Sequence, residues 1–176
     1  MEIIVDLCNQ HQGSLAELKR MSLNAWSSGA DVVKIQLMDS EKFFGTTDKK
    51  YRDIDFETFA CLKEFCDTLG VPLMATPFDM ERLHWIKTLG IKRHKIASRT
   101  VKEDPKLCEA ILNENKPTII STGACAPNEF PFGHGRNIKY LFCVSKYPTL
   151  LHDKDLKNMP EKFEEGSYVG YSDHSV

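Results

Sequence analysis

Seven short β-type runs along this chain each end in a side chain that an apolar core would reject. The runs are IIVD, ending at Asp6; VVKIQ, carrying Lys34 and Gln36; and PLMAT, ending at Thr76. HKIAS follows with Lys95 and Ser98, TIIST with Ser121 and Thr122, YLFCVS with Ser145, and YVGYSDH with Ser172, Asp173 and His174. If these strands run parallel, every polar end emerges on one face, which in a (β/α)8 barrel is where the active site is built. The expectation is an α/β chain that handles a charged ligand on a TIM-type (β/α)8 barrel. That barrel is expected to be incomplete, with about seven strands and the eighth βα unit missing.

Helical spacing fills the intervals. Ser14 is placed as an N-cap with Glu17 three residues on, a capping-box arrangement. Leu15, Leu18, Met21, Ala25 and Trp26 then recur at helical intervals until Gly29. Asp31 to Leu37 reads as the second strand, and a polar, aromatic loop over 38–54 leads to Asp55. That aspartate is expected to cap a helix through Leu69, with Gly70 at its end. Val71 to Thr76 is the third strand, Asp79 to Gly90 brackets the third helix, and His94 to Ala97 is the fourth strand. Asp104-Pro105 opens a fourth helix in the favoured cap-then-proline order. After the strand Thr118 to Thr122, the segment from Gly123 to Asn137 is rich in Pro, Gly and Asn and reads as a loop. Ile138 to Val144 is strand six, Asp153 to Met159 a weak helix, and Tyr168 to Tyr171 strand seven.

Alternation with short joins implies right-handed parallel βαβ units. An open doubly wound sheet is the alternative, but that fold carries its phosphate site on a glycine-rich first turn. Here the turn is CNQHQG, with one glycine. A complete barrel needs roughly 200 residues or more, and this chain has 176. The expectation is therefore a partial barrel domain over 1–176, either truncated or completed by another polypeptide, since strands one and seven would otherwise be open edges.

A formal charge of −2 gives no global support for a nucleic-acid or anionic-membrane partner. No apolar run approaches the roughly 20 residues of a membrane span, and MEIIVDL opens a strand without a basic leader. A cytoplasmic location is expected. The six cysteines form no CxxC pair, so they read as reduced and mostly buried.

Lys34 and Lys95 sit inside apolar strands, and a lysine is rarely buried without a partner. With Thr76, Ser98, Ser121 and Ser172 at neighbouring strand ends, they would form a pocket for a phosphate plus a carboxylate. The plain alternative is that each lysine snorkels to the rim. His174, in YSDHS, is a candidate metal ligand or general acid–base, with His11 a second candidate. One histidine does not make a metal site. His84, His94, His134 and His152 read as surface or loop residues, and Asp79 and Glu81 as helix N-terminal carboxylates.

The segments VDLCNQHQG, SGADVVKIQ, ATPFD, KIAS, ISTG, CVSKYPT and GYSDH stand in order along the whole chain. In that order the chain resembles the sialic acid synthase family, the N-acetylneuraminate, legionaminate and pseudaminate synthases and related spore-coat polysaccharide proteins. The resemblance implies a metal-dependent barrel that condenses phosphoenolpyruvate with an N-acetylated mannosamine-type sugar to a nine-carbon 2-keto acid and phosphate. It implies that Lys34, Thr76, Lys95, Ser98, Ser121 and Ser172 hold phosphoenolpyruvate, that Gln36 and Tyr147 lie on the sugar side, and that Ser145 stands where the family has asparagine. Asp6, Lys34, Lys95 and His174 are the implied catalytic residues. His174 would be one of two histidines on a divalent metal, manganese or magnesium, the second lying on strand eight beyond the chain end. A homodimer is implied for the full-length protein, with a C-terminal antifreeze-like domain that this chain lacks.

The departures point elsewhere. Asp6 replaces a family glutamate, and the family's KI-x-S-x-E pattern reads KIASRT, so Thr100 stands where a proton-carrying carboxylate is expected. This fragment is accordingly expected to be inactive. The second reading is a non-catalytic sugar- or phosphate-binding or assembly relative of the same barrel, and a third is another phosphoenolpyruvate aldolase-type barrel such as the octulosonate-phosphate synthases.

Overall fold

A computed structural model describes residues 1–135 and 137–175. The chain divides into two compact units, Met1–Lys92 and Arg93–Val176.

In the first unit, β1 (Ile4–Asp6), β2 (Val32–Leu37) and β3 (Leu73–Pro77) are parallel, with Asp6 opposite Lys34 and Gln36 opposite Thr76. Successive side chains alternate across a strand, so Val33, Ile35 and Leu37 leave by one face and Lys34 and Gln36 by the other. The apolar face packs with Leu18 of α1 (Leu15–Ser27) and with Phe59, Leu62 and Cys66 of α3 (Phe56–Leu69) in one core. Ile86 of α4 (Met80–Thr88) joins the same core. Each of these three helices starts where a side chain takes up a free amide: Ser14 accepts from Glu17 N, Asp55 from Thr58 N and Asp79 from Arg82 N. The expected capping box is only half formed, because the Glu17 carboxylate turns to Arg20.

The 38–54 segment departs from its expected loop character. It contains α2 (Ser40–Phe44), capped by Asp39 and ended by the left-handed Gly45, then a 3-10 turn over Thr47–Arg52. The segment is tied to itself through Ser40, whose amide donates to Asp53 Oδ1 and whose hydroxyl donates to the Lys49 carbonyl.

In the second unit, β4 (His94–Ile96), β5 (Thr118–Ser121), β6 (Ile138–Cys143) and β7 (Tyr168–Ser172) are parallel in chain order. The pairing of β6 with β7 shifts register between Tyr140 and Leu141. A short helix, α5 (Ser98–Glu103), follows β4 directly and was not expected. Asp104 ends it and caps α6 (Pro105–Leu112), accepting from Leu107 N. The residue before a proline disfavours the helical region, which separates one helical stretch into two. Asp153 caps a 3-10 turn, Lys154–Asn158, in place of the weak helix.

The connection between β5 and β6 is irregular, as expected, and aromatic rings hold it. Phe130 packs against Tyr140 and Tyr168 at centroid distances of 5.0 and 5.2 Å. The Tyr140 hydroxyl accepts from Phe132 N and donates to the Gly133 carbonyl, while the Tyr168 hydroxyl accepts from Asn128 N. His94, read from sequence as a surface or loop residue, is fully buried in β4. The strand is the expected one, but its polar neighbours Arg93 and Lys95 hid the burial of the histidine that opens it.

Candidate functional site

The strand ends of each unit gather polar groups, and the two sets differ in chemistry. In the first unit, Lys34 is 9% exposed and forms an ion pair with Asp6. Asp6 also accepts from Cys8 N at 2.9 Å and from Gln36 Nε2 at 3.1 Å. Burial pushes the Asp6 carboxyl up, but Lys34 and these hydrogen bonds outweigh it and hold the group below its ordinary value. On β3, Thr76 Oγ1 is buried and has no hydrogen-bond partner. Such a hydroxyl destabilises a fold unless a ligand or water meets it. The first unit thus brings Asp6, Lys34 and Gln36 into direct contact and sets Thr76 opposite Gln36 in register.

The loop after β1 places His11 differently from its expected role as a metal ligand or acid–base. The ring is fully buried, and Nδ1 accepts from Gly13 N at 3.0 Å. Burial depresses its pKa, so the neutral ring is the form that packs here.

In the second unit, Lys95 is 5% exposed, and its ammonium donates to Ser121 Oγ at 2.7 Å and to the Ile96 carbonyl at 2.9 Å. The Gly123 amide donates to Ser98 Oγ at 3.0 Å. A hydroxyl has one proton and two lone pairs. Ser121 and Ser98 each already accept from the protein, which leaves the hydroxyl proton of each to be donated. The snorkelling alternative does not hold for either lysine, since both are buried with their ends bound to protein groups.

His174, just past β7, has Nδ1 at 2.9 Å from the Val144 carbonyl and Nε2 at 3.0 Å from the Tyr147 hydroxyl. A carbonyl can only accept, so the proton sits on Nδ1 and the lone pair on Nε2. The Tyr147 ring stacks on the imidazole at 4.1 Å, and Tyr147 itself is 75% exposed. Cys143 Sγ lies 4.0 Å from Nδ1. Burial pushes the Cys143 thiol up, but His174, Ser98 and the charge on Lys95 together hold it below its ordinary value. Burial pushes His174 down, and Cys143 and the Val144 carbonyl more than reverse that. Ser172 is half-buried opposite Cys143 in register, and Ser145 is exposed beside Gly123.

Thr100 is buried on α5, with its hydroxyl lacking a hydrogen-bond partner. Among the described residues no group of three or more His, Cys, Asp or Glu side chains could hold a metal ion. His174 Nε2 fits one position of a metal's ligand set, and the described residues do not complete that set.

Two residues of this constellation escaped the sequence reading. Cys143 passed as an ordinary packed cysteine. Gly123 acts through its amide and its lack of a side chain; the one sequence signal was its place directly after a strand-end Ser-Thr pair.

A chain of parallel βα units with ammonium and hydroxyl groups at the strand ends is an α/β protein of the TIM-barrel class. The family model described as the NeuB family matches residues 22–176, and the chain belongs to that family. It is 29% identical to the N,N'-diacetyllegionaminic acid synthase of Legionella pneumophila, over 99% of this chain and 57% of that protein. It is 31% identical to the pseudaminic acid synthase of Campylobacter jejuni, over 98% of this chain and 58% of that protein. The crystal structure of N-acetylneuraminic acid synthetase from Leptospira borgpetersenii, solved in complex with citrate, superposes with a TM-score of 0.79 at 26% identity. It covers 98% of this chain and 65% of that one. The α/β barrel class is the fold expected from sequence, and the described residues supply seven parallel strands. The chain spans somewhat more than half the length of the curated relatives it matches. Among the described residues no helix is long and apolar enough to cross a membrane.

Proposed function

We propose that this chain carries the phosphoenolpyruvate-binding part of a synthase that makes a nine-carbon 2-keto sugar acid from an N-acetylated mannosamine-type sugar. The observation that carries the reading is the Lys95–Ser121 and Gly123–Ser98 pairing. It sets two hydroxyls as donors beside a buried ammonium, a combination suited to phosphate or carboxylate oxygens. In the first unit, the orphaned Thr76 hydroxyl is a donor of the same kind. A relative solved with citrate, a polycarboxylate, agrees with that chemistry.

In the proposed reaction C3 of the enol attacks the open-chain aldehyde, forming the new C–C bond. Water then adds to C2, and the C2–O bond breaks to release phosphate. Lys95, Ser98, Ser121 and Ser172 bind and orient the anion; the family resemblance also assigns Lys34 and Thr76 to the anion, and Gln36 and Tyr147 to the sugar. Asp6, the implied catalytic carboxylate at the first strand end, is held ionised by Lys34, which makes it a weak base at neutral pH. A divalent metal, manganese or magnesium, bound through His174 Nε2 and ligands from elsewhere, would supply Lewis-acid polarisation of the aldehyde.

Titration calorimetry of the full-length protein with phosphoenolpyruvate tests this reading. Binding is expected in the wild type and lost in Lys95→Ala; equal affinities would sink it. A second reading, binding without turnover, is favoured by Thr100, whose hydroxyl cannot serve as a base at neutral pH. A keto-acid assay with N-acetylmannosamine decides between them, since product formation removes the second reading.

A further inference from the structure

We infer that Gly123 is a positioning residue for anion binding, acting through the Ser98 hydroxyl; the inference rests on the phosphoenolpyruvate reading above. Gly123 follows β5 and has no left-handed φ, so the position needs glycine for space and not for backbone handedness. A Cβ built there would lie 2.8 Å from the Cys143 carbonyl oxygen, 3.0 Å from Ser145 N, and closer still to Ser145 Oγ. Two of those neighbours are backbone atoms at the end of β6, and they cannot rotate out of the way. The absence of a side chain therefore lets the turn after β5 lie directly against the end of β6.

That approach aims the Gly123 amide at Ser98, the first residue of α5, 25 positions away in sequence. With one Ser98 lone pair taken by the amide, the hydroxyl proton must point away from Gly123. Ser98 is among the groups that hold the Cys143 thiol below its ordinary value, and sulfur is a weak acceptor. A phosphate or carboxylate oxygen is a much stronger one and would capture the same proton. The glycine thus decides which way a ligand-facing hydroxyl points without touching the ligand.

The test is calorimetry with phosphoenolpyruvate on the full-length protein. Gly123→Ala is expected to weaken binding about tenfold to a hundredfold, the range for one lost hydrogen bond to a charged group. Ser98→Ala removes the acceptor without any clash and is expected to weaken binding to the same extent. The two losses should not add in the double variant, because the residues act as one unit. Ser98→Thr keeps the hydroxyl and is expected to restore affinity, which a merely structural serine would not require. Amide exchange at Gly123, slow in the wild type and faster in Ser98→Ala, reports the same bond if Gly123→Ala fails to fold. Additive losses, wild-type affinity in either single alanine variant, or unchanged exchange would overturn the positioning role alone. A wild type that gives no heat with phosphoenolpyruvate overturns the functional reading and this role with it.

Discussion

Lys34 on β2 meets a carboxylate, whereas Lys95 on β4 meets a hydroxyl and a carbonyl. Both lysines are buried, both arise from an apolar run, and the sequence makes them look equivalent. In the first unit the charge is balanced on the spot: Asp6 takes the ammonium, and Gln36 and Cys8 N complete the carboxylate's shell. In the second unit the charge is relayed, because the Ser121 oxygen accepts from Lys95 and its proton remains to be given onward. An ion-paired end stabilises the fold it belongs to, and an end whose serine keeps a proton to donate offers a hydrogen bond to an incoming anion.

The largest expected effect follows from that contrast. Lys95→Ala should weaken phosphoenolpyruvate binding by about a hundredfold or more, since it removes a charge-assisted bond and the bond that orients Ser121, and Lys34→Ala by only about tenfold, since Asp6 already engages that ammonium. Calorimetry on both variants checks this, and equal losses would erase the distinction. Next in size, Lys34→Ala should destabilise the protein by about 2 kcal/mol in denaturant titration. Breaking a buried pair costs roughly 3–5 kcal/mol, and the Asp6 side chain keeps 34% of its exposure, which softens the penalty. Adding Asp6→Asn to that variant should recover part of the loss.

The balanced end also has a pH signature. The Asp6 pKa is lower in the folded protein than its ordinary 3.8. Its contribution to stability is therefore fully present above about 3.8 and disappears as pH falls through the folded value. Asp6→Asn should flatten that acid limb in a melting-temperature series; an unchanged limb would place the acid sensitivity elsewhere. The smallest effect is at the exposed Tyr147: Tyr147→Phe removes the hydroxyl beside His174 Nε2 and should shift stability by less than about 0.5 kcal/mol.

Much of this was legible from residues alone. Each strand ended where an apolar run met a polar side chain, and Asp55, Asp79 and Asp104 marked helix starts because an N-cap is a local signal. The short helices α2 and α5 were not legible. Helices of five and six residues are unstable in isolation, and α5 starts at Ala97 without a side-chain cap. The paired lysines were visible as anomalies, but Asp6 was read as a catalytic carboxylate while its bond to Lys34 depends on strand register. Gly123 illustrates the limit: a distance to Cys143 and Ser145 has no local sequence signature.

The aromatic cluster between β5 and β6 has a consequence for how this unit can change over evolutionary time. A helix in that place could lose or gain a turn and still present a stripe to the sheet. Interlocked rings offer no such repeat. Phe130 is gripped by Tyr140 and Tyr168, and the two phenols in turn hold the backbone at Asn128, Phe132 and Gly133. The segment is keyed by shape and held at its rings.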